Sequence, residues 1–179
     1  MKKLVCVLGL LLIATLVARP AQASVITFET ILLGSNENPP NNSPGFGSIT
    51  LILDDVLGTL DVFETFSDLL APTTAAHLHC CVGEAENGPV VLPFTGFPTG
   101  VTSGTFHHLF DLSTDLSGIT VAAFIAGLEA GQVYANIHSQ QFPGGEIRGQ
   151  LSAVPEPGTM ALLGIGLLVL GHRLRRRRA

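Results

Sequence analysis

The middle of this chain is almost without positive charge. The sequence holds nine Lys and Arg residues against fourteen Asp and Glu, but eight of the nine lie near the ends: Lys2, Lys3 and Arg19 at the front, Arg173, Arg175, Arg176, Arg177 and Arg178 at the back. Between residues 24 and 153 only Arg148 stands beside thirteen acidic residues, a formal net charge of −12. Such a surface repels phosphate backbones and anionic lipid and attracts cations, so nucleic acid is excluded as a partner. Cysteine is equally scarce. Cys6 sits in the N-terminal apolar run, which leaves the adjacent pair Cys80 and Cys81 and no widely spaced disulfide within the middle region. Catalytic signatures are missing too: no Gly-x-Ser-x-Gly elbow, no phosphate loop, no zincin helix. The acidic residues are too scattered to single out a glycosidase pair by spacing. No enzyme is expected, and no internal repeat is visible.

Long apolar runs are confined to the two ends. At the front, Lys2 and Lys3 precede the apolar run Leu4 to Ala18, and Ala21-Gln22-Ala23 offers a small-x-small cleavage site before Ser24. That order predicts a signal helix over 1–23, removed by signal peptidase. The run is shorter than the about 20 residues of a comfortable membrane span. At the back, Val154-Pro155-Glu156-Pro157-Gly158 blocks an earlier helix start. A glycine-spaced apolar segment follows at about 159–171, then a basic end at 172–179. The basic cluster stays on the cytoplasmic side, and the signal sends the middle across, so both ends agree on orientation. Thirteen residues at 1.5 Å each cover about 20 Å of an about 30 Å hydrocarbon core, which suits a temporary transmembrane stop in the inner membrane better than a permanent anchor.

Pro155, Glu156 and Pro157, the short apolar helix and the arginines Arg175, Arg176, Arg177 and Arg178 together resemble the PEP-CTERM sorting signal of bacteria. The resemblance covers roughly 154–179. It implies recognition by an exosortase, a membrane protease-transpeptidase, an inner-membrane intermediate followed by cell-surface or extracellular release, and an association with exopolysaccharide and biofilm.

The middle, 24–153, is long enough for one domain with its own core. Its segments read as strands: 25–33, 46–53, 59–66, 75–80, 90–93, 105–112, 133–138 and 146–152. Asn38-Pro39-Pro40, Asn87-Gly88-Pro89, Phe97-Pro98-Thr99-Gly100 and Pro143-Gly144-Gly145 punctuate them as turns. About eight short strands predict an all-β antiparallel sandwich or barrel. Val121 to Ala130 breaks the pattern. It is alanine-rich with apolar residues at helical spacing, and Gly131 suits a C-terminal cap, so one short helix is expected there.

In a strand, residues two apart share a face. His77 and His79 therefore point one way, with Leu78 and Cys80 opposite. Tyr134, Asn136 and His138 share a face, as do Glu146, Arg148 and Gln150. If these strands are neighbours, one polar patch would hold three imidazoles with Asn136, Glu146 and Arg148. Imidazole suits Zn, Cu, Fe or Ni, and three histidines can hold a catalytic-type zinc. His77, His79 and His138 are the candidate ligands for a Zn or Cu ion. The competing reading is structural: histidines hydrogen-bonded to their neighbours, with Glu146 and Arg148 as an ion pair. His107 and His108 are consecutive, face opposite ways, and read as surface residues. For Cys80 and Cys81 two alternatives stand, a vicinal disulfide favoured by an oxidising compartment, or a thiolate serving as a soft metal ligand beside the histidines.

Three segments carry a second resemblance: Ala76-His77-Leu78-His79 with Asn87-Gly88-Pro89-Val90-Val91, then Gly131 to His138, then Pro143 to Leu151 with its Gly-Glu-Ile-Arg-Gly-Gln run. Together with Leu33-Gly34-Ser35-Asn36-Glu37-Asn38-Pro39-Pro40 they resemble the CHRD domain over about 31–151. That resemblance implies an immunoglobulin-like or related sandwich and no general biochemical function. The expectation is an exported, non-enzymatic surface or matrix protein presenting an acidic β-domain to exopolysaccharide or divalent cations. The alternative is a metal-binding or redox-active domain built on the three histidines.

Overall fold

The computed structural model describes residues 25–155 and 164–167. The expected signal helix over 1–23 lies outside the described residues. So do Glu156, Pro157, the four arginines 175–178 and all of the segment 159–171 except one helical turn at 164–167. Among the described residues no helix is long and apolar enough to cross a membrane.

Nine strands form the domain: β1 (Val25–Leu33), β2 (Phe46–Asp54), β3 (Thr59–Ser67), β4 (Thr73–His79), β5 (Val90–Pro93), β6 (Gly104–Asp111), β7 (Tyr134–Ser139), β8 (Ile147–Gln150) and β9 (Ser152–Ala153). All pair antiparallel, in the order β5-β4-β7-β8-β1-β2-β3-β6, with β9 beside β1. The sheet curls on itself. One arm, β1-β2-β3-β6, and the other, β8-β7-β4-β5, point their inner faces at a single core that joins Phe28, Leu51, Leu60 and Phe110 to Leu78, Ile137 and Ile147. Alternation explains this: β2 and β3 bury every second residue, as period-two strands with one covered face must.

The helix read from the sequence is α2 (Val121–Glu129); the shorter α1 (Leu112–Asp115) precedes it. Thr120 caps the start of α2 by accepting from the Ala123 N–H. At its end Gly131, with φ +66, lets its own N–H reach Leu128 O and the Gln132 N–H reach Gly127 O, the double bond of a glycine-terminated helix. The all-β antiparallel fold with its short helix is as expected, and α1 and a 3-10 turn at Gly34–Asn36 accompany that helix. The cause of α1 is local: the Asp111 carboxylate accepts from the Ser113 N–H and hydroxyl, turning the chain as β6 ends. Two boundaries also shift. Cys80 lies just beyond β4, and Glu146 lies just before β8.

Candidate metal centre

The register places the polar residues side by side. His77 pairs with Asn136 and His79 with Tyr134 across β4 and β7; Asn136 pairs with Arg148 and Tyr134 with Gln150 across β7 and β8. All of them point to the outer face of this arm, away from the core. That face is nevertheless covered. Two loops, 34–45 and 80–89, fold over it and hold each other: the Asn38 amide donates to Ala85 O at 2.7 Å, and the Asn87 amide donates to Asn38 O. Beneath them His79, Asn136 and Arg148 are buried, while His77 and His138 are half-buried.

The three imidazoles meet there. One ring nitrogen from each of His77, His79 and His138 lies within 4.8 Å of the others. The hydrogen bonds fix how two of the rings present themselves. His79 Nδ1 lies 2.9 Å from the Gly88 carbonyl, and His138 Nδ1 lies 2.9 Å from the Pro143 carbonyl. A carbonyl only accepts, so both Nδ1 atoms carry the proton, and in the neutral ring Nε2 is left with a lone pair. Both Nε2 atoms face the same oxygen, Asn136 Oδ1, at 3.0 and 3.1 Å. His77 Nδ1 is buried with no partner. The result is a knot of acceptor atoms turned toward one another. A metal-bound histidine characteristically donates its second nitrogen to a carbonyl in this way. Tetrahedral ligands at about 2.1 Å from one ion lie about 3.4 Å apart, so a small opening of the 3.0 and 3.1 Å contacts between Nε2 and Oδ1 would admit one.

Electrostatics favour neutral rings. Burial, with the neighbouring His138 and His79 adding to it, pushes His77 down to about 4. Burial likewise lowers His79 and His138, against the opposing effect of their carbonyl bonds. A neutral imidazole is the ligating form.

Around the histidines the packing is polar and tight. Tyr134 stacks parallel on His79, with ring centroids 4.5 Å apart. The Arg148 guanidinium lies over the other face of Tyr134, 3.7 Å from its centroid. Arg148 also donates to Asn87 Oδ1 at 2.8 Å and to Glu86 O, and the Tyr134 hydroxyl accepts from the Gly88 N–H. Strand pairing and loop cover thus lock each ring.

Glu146 does not join this group. Its Oε1 accepts from the Ser43 hydroxyl and the Leu70 N–H, both at 2.6 Å, on the far side of the 143–145 turn. No Glu146–Arg148 ion pair forms among the described residues; the one basic–acidic side-chain contact at such a distance there is His107 with Asp61. Position just before the strand end explains it, because alternation stops constraining a side chain where pairing stops. His107 and His108 are exposed on β6, and His107 stacks on Phe63. Cys80 and Cys81 are bonded to each other, against Gly127 of α2, where any Cβ would lie 2.6 and 2.7 Å from the two sulfurs. In that state neither sulfur offers a thiolate.

The sequence reading missed Glu37. It is 6 % exposed, lies beside Asn136 and Arg148, and is pushed up to about 7 by burial, against the pull of the Arg148 charge. It lines a cavity of about 340 Å³ with Asn36, Asn38 and Arg148. The one available signal was its place in the Asn-Glu-Asn-Pro-Pro turn, which says nothing about where the turn folds.

A CHRD domain family model matches residues 28–151, most of the chain and every element of the site. The chain belongs to the CHRD domain family. The remaining stretch, 153–178, matches the PEP-CTERM protein-sorting motif. This CHRD protein therefore carries an exosortase sorting signal, which implies export and membrane-anchored transit to the cell surface. No curated protein and no solved structure matches the chain.

Proposed function

We propose that this exported CHRD protein is a surface metal-binding module, in which His77, His79 and His138 hold one Zn(II) or Cu(II) ion beside the Asn136 amide oxygen. The observation that carries this reading is the pair of Nε2 atoms, each with its ring partner Nδ1 tied to a carbonyl, converging on Asn136 Oδ1. Acceptors so arranged repel one another until a cation sits among them. Imidazole and amide oxygen are ligands for borderline divalent ions, and with both sulfurs bonded to each other no soft thiolate remains to favour Cu(I). The strongly acidic exterior concentrates cations near the site.

Elemental analysis of the purified exported domain tests this. One equivalent of Zn or Cu is expected, and the His77→Ala/His79→Ala double variant should lose it. A metal-free wild-type domain that stays metal-free after incubation with both ions and desalting would remove the reading.

A second role rests on composition and on the tail. The PEP-CTERM signal and the −12 domain support a non-enzymatic matrix protein whose acidic face meets exopolysaccharide through bridging divalent cations. Cosedimentation with purified exopolysaccharide, present with calcium and abolished by chelator, is the expected behaviour; equal pelleting with and without cations would contradict it. Deleting 154–179 should abolish surface display.

A further inference from the structure

Loop 80–89, one half of the roof, is held by different means at its two ends. From Glu86 onward hydrogen bonds tie it to the histidine face. Arg148 donates to Glu86 O and Asn87 Oδ1, Gly88 O accepts from His79 Nδ1, and the Gly88 N–H donates to the Tyr134 hydroxyl. Its first residues sit instead against α2. At Gly127 that helix has no side chain, and a Cβ there would lie 2.6 Å from Cys80 Sγ and 2.7 Å from Cys81 Sγ. The bonded sulfurs therefore fill the groove that the glycine leaves, and the Val82 N–H donates to Gln132 O just past the helix. Between these anchors the chain is not relaxed. Ala85 has φ +66, a left-handed conformation that residues with a Cβ rarely adopt. The closed roof thus depends on its anchors.

Cys80 and Cys81 are neighbours, so their bond closes a ring around the peptide link between them. The ring fixes the backbone where β4 hands over to the loop, whether the roof is down or lifted. Ordering those two residues is then no part of the cost of closing it. The two sulfurs also differ in access. Cys80 is 1 % exposed, whereas Cys81 is an exposed residue, so a thiol arriving from solvent meets Cys81 first.

We infer that the Cys80–Cys81 bond is a reducible latch on the roof, opened by thiol–disulfide exchange with a dithiol. One thiolate of the dithiol attacks Cys81 Sγ; the S–S bond breaks, and Cys80 Sγ leaves with the electron pair and takes up a proton. The second thiol of the reductant closes onto the first, expelling Cys81 Sγ, which is protonated in turn. Two electrons and two protons pass to the protein, and the dithiol ends as its own disulfide. Two separate thiols need more room than a bonded pair, and the groove at Gly127 is already full. Cys81 turns out to solvent, the backbone at 80–81 regains its freedom, and each closure of the roof must order it again. The latch stands without the metal-binding reading; its effect on ion affinity rests on that reading.

Hydrogen exchange on the purified exported protein, with alkylation by iodoacetamide read by mass spectrometry, tests the inference. Untreated protein should show no alkylated cysteine. Dithiothreitol without denaturant should make both alkylatable, Cys81 first. In the reduced protein the Val82 and Gly88 amides should exchange at least about tenfold faster, the effect of ordering a residue's backbone anew, while those of β2 and β3 stay as slow as before. Cys80→Ser/Cys81→Ser should show the same loosening with no reductant. Equal exchange across 80–89 in the oxidised and reduced protein would overturn the latch, as would free thiols in the untreated protein or a bond that yields only in denaturant. If the serine variant folds poorly, the reduced wild type decides. Co(II) titration of the serine variant reads the coupling: affinity should fall in proportion to the time the roof spends open. If the wild type binds no Co(II), the metal reading falls and exchange alone decides the latch.

Discussion

The two arms of the curled sheet follow the same alternation and differ in what lies over their outer faces. On β1-β2-β3-β6 the outer face is open to solvent, with Ile31, Phe46, Phe63 and Leu109 scattered among Ser and Thr. On β8-β7-β4-β5 the outer face is roofed by two loops, and β7 buries every residue but His138. Covering a strand face that carries His, Asn and Arg removes polar groups from water, which costs free energy unless each finds a partner. The roofed arm meets most of that cost through loop carbonyls and side-chain amides, yet leaves acceptors facing acceptors at its centre. That polar, covered face with one unresolved focus is the feature on which the proposed metal site rests; the open face of the other arm has no such focus among the described residues.

The comparison can be broken first at the core that both arms share. Phe28→Ala removes a fully buried ring from the open arm and should destabilise the domain by about 3–5 kcal/mol in denaturant titration, with metal affinity unchanged wherever the domain remains folded. Loss of affinity in the folded state would show that the arms are not energetically separable.

Next in size is the one flaw in the open arm. Glu64 on β3 points into the core, 1 % exposed, with neither carboxylate oxygen hydrogen-bonded. Burial pushes it up to about 8. A folded-state value above the unfolded one means the protonated form is favoured by folding. Its contribution is fully present below about 4.5 and is lost as pH rises to about 8. Wild type should lose a few kcal/mol across that window that Glu64→Gln does not lose. Parallel stability curves for the two proteins would contradict the account.

In the roofed arm, Asn136→Ala should lower metal affinity by about 10- to 100-fold, read by isothermal titration. His107→Ala serves as the counterweight on the open arm. That side chain is 61 % exposed and pairs only with Asp61 and Phe63, so its loss should change stability by no more than about 0.5 kcal/mol and leave metal binding untouched.

The sequence made the arms legible but not their difference. Alternation in Thr59 to Phe66 and the turn residues at Asn38-Pro39-Pro40 and Pro143-Gly144-Gly145 were enough for the strands, because period-two burial is a local property. The shared face of His77 and His79 followed from the same rule. That β7 lies between β4 and β8, and so brings His138 and Arg148 to that face, depends on long-range pairing that spacing does not encode. Glu37 was missed and Glu146 was placed in the wrong group for a related reason. Both sit just outside strands, where a side chain's direction is set by tertiary contacts rather than by the pleat.

X-ray absorption on the Cu(II)- or Zn(II)-loaded domain tests the central claim most directly. The account predicts one ion per chain, with nitrogen and oxygen neighbours at about 2.0–2.1 Å, imidazole outer-shell scattering from three rings and no sulfur. A sulfur neighbour, or loading that survives in the His77→Ala/His79→Ala variant with the same spectrum, would contradict it.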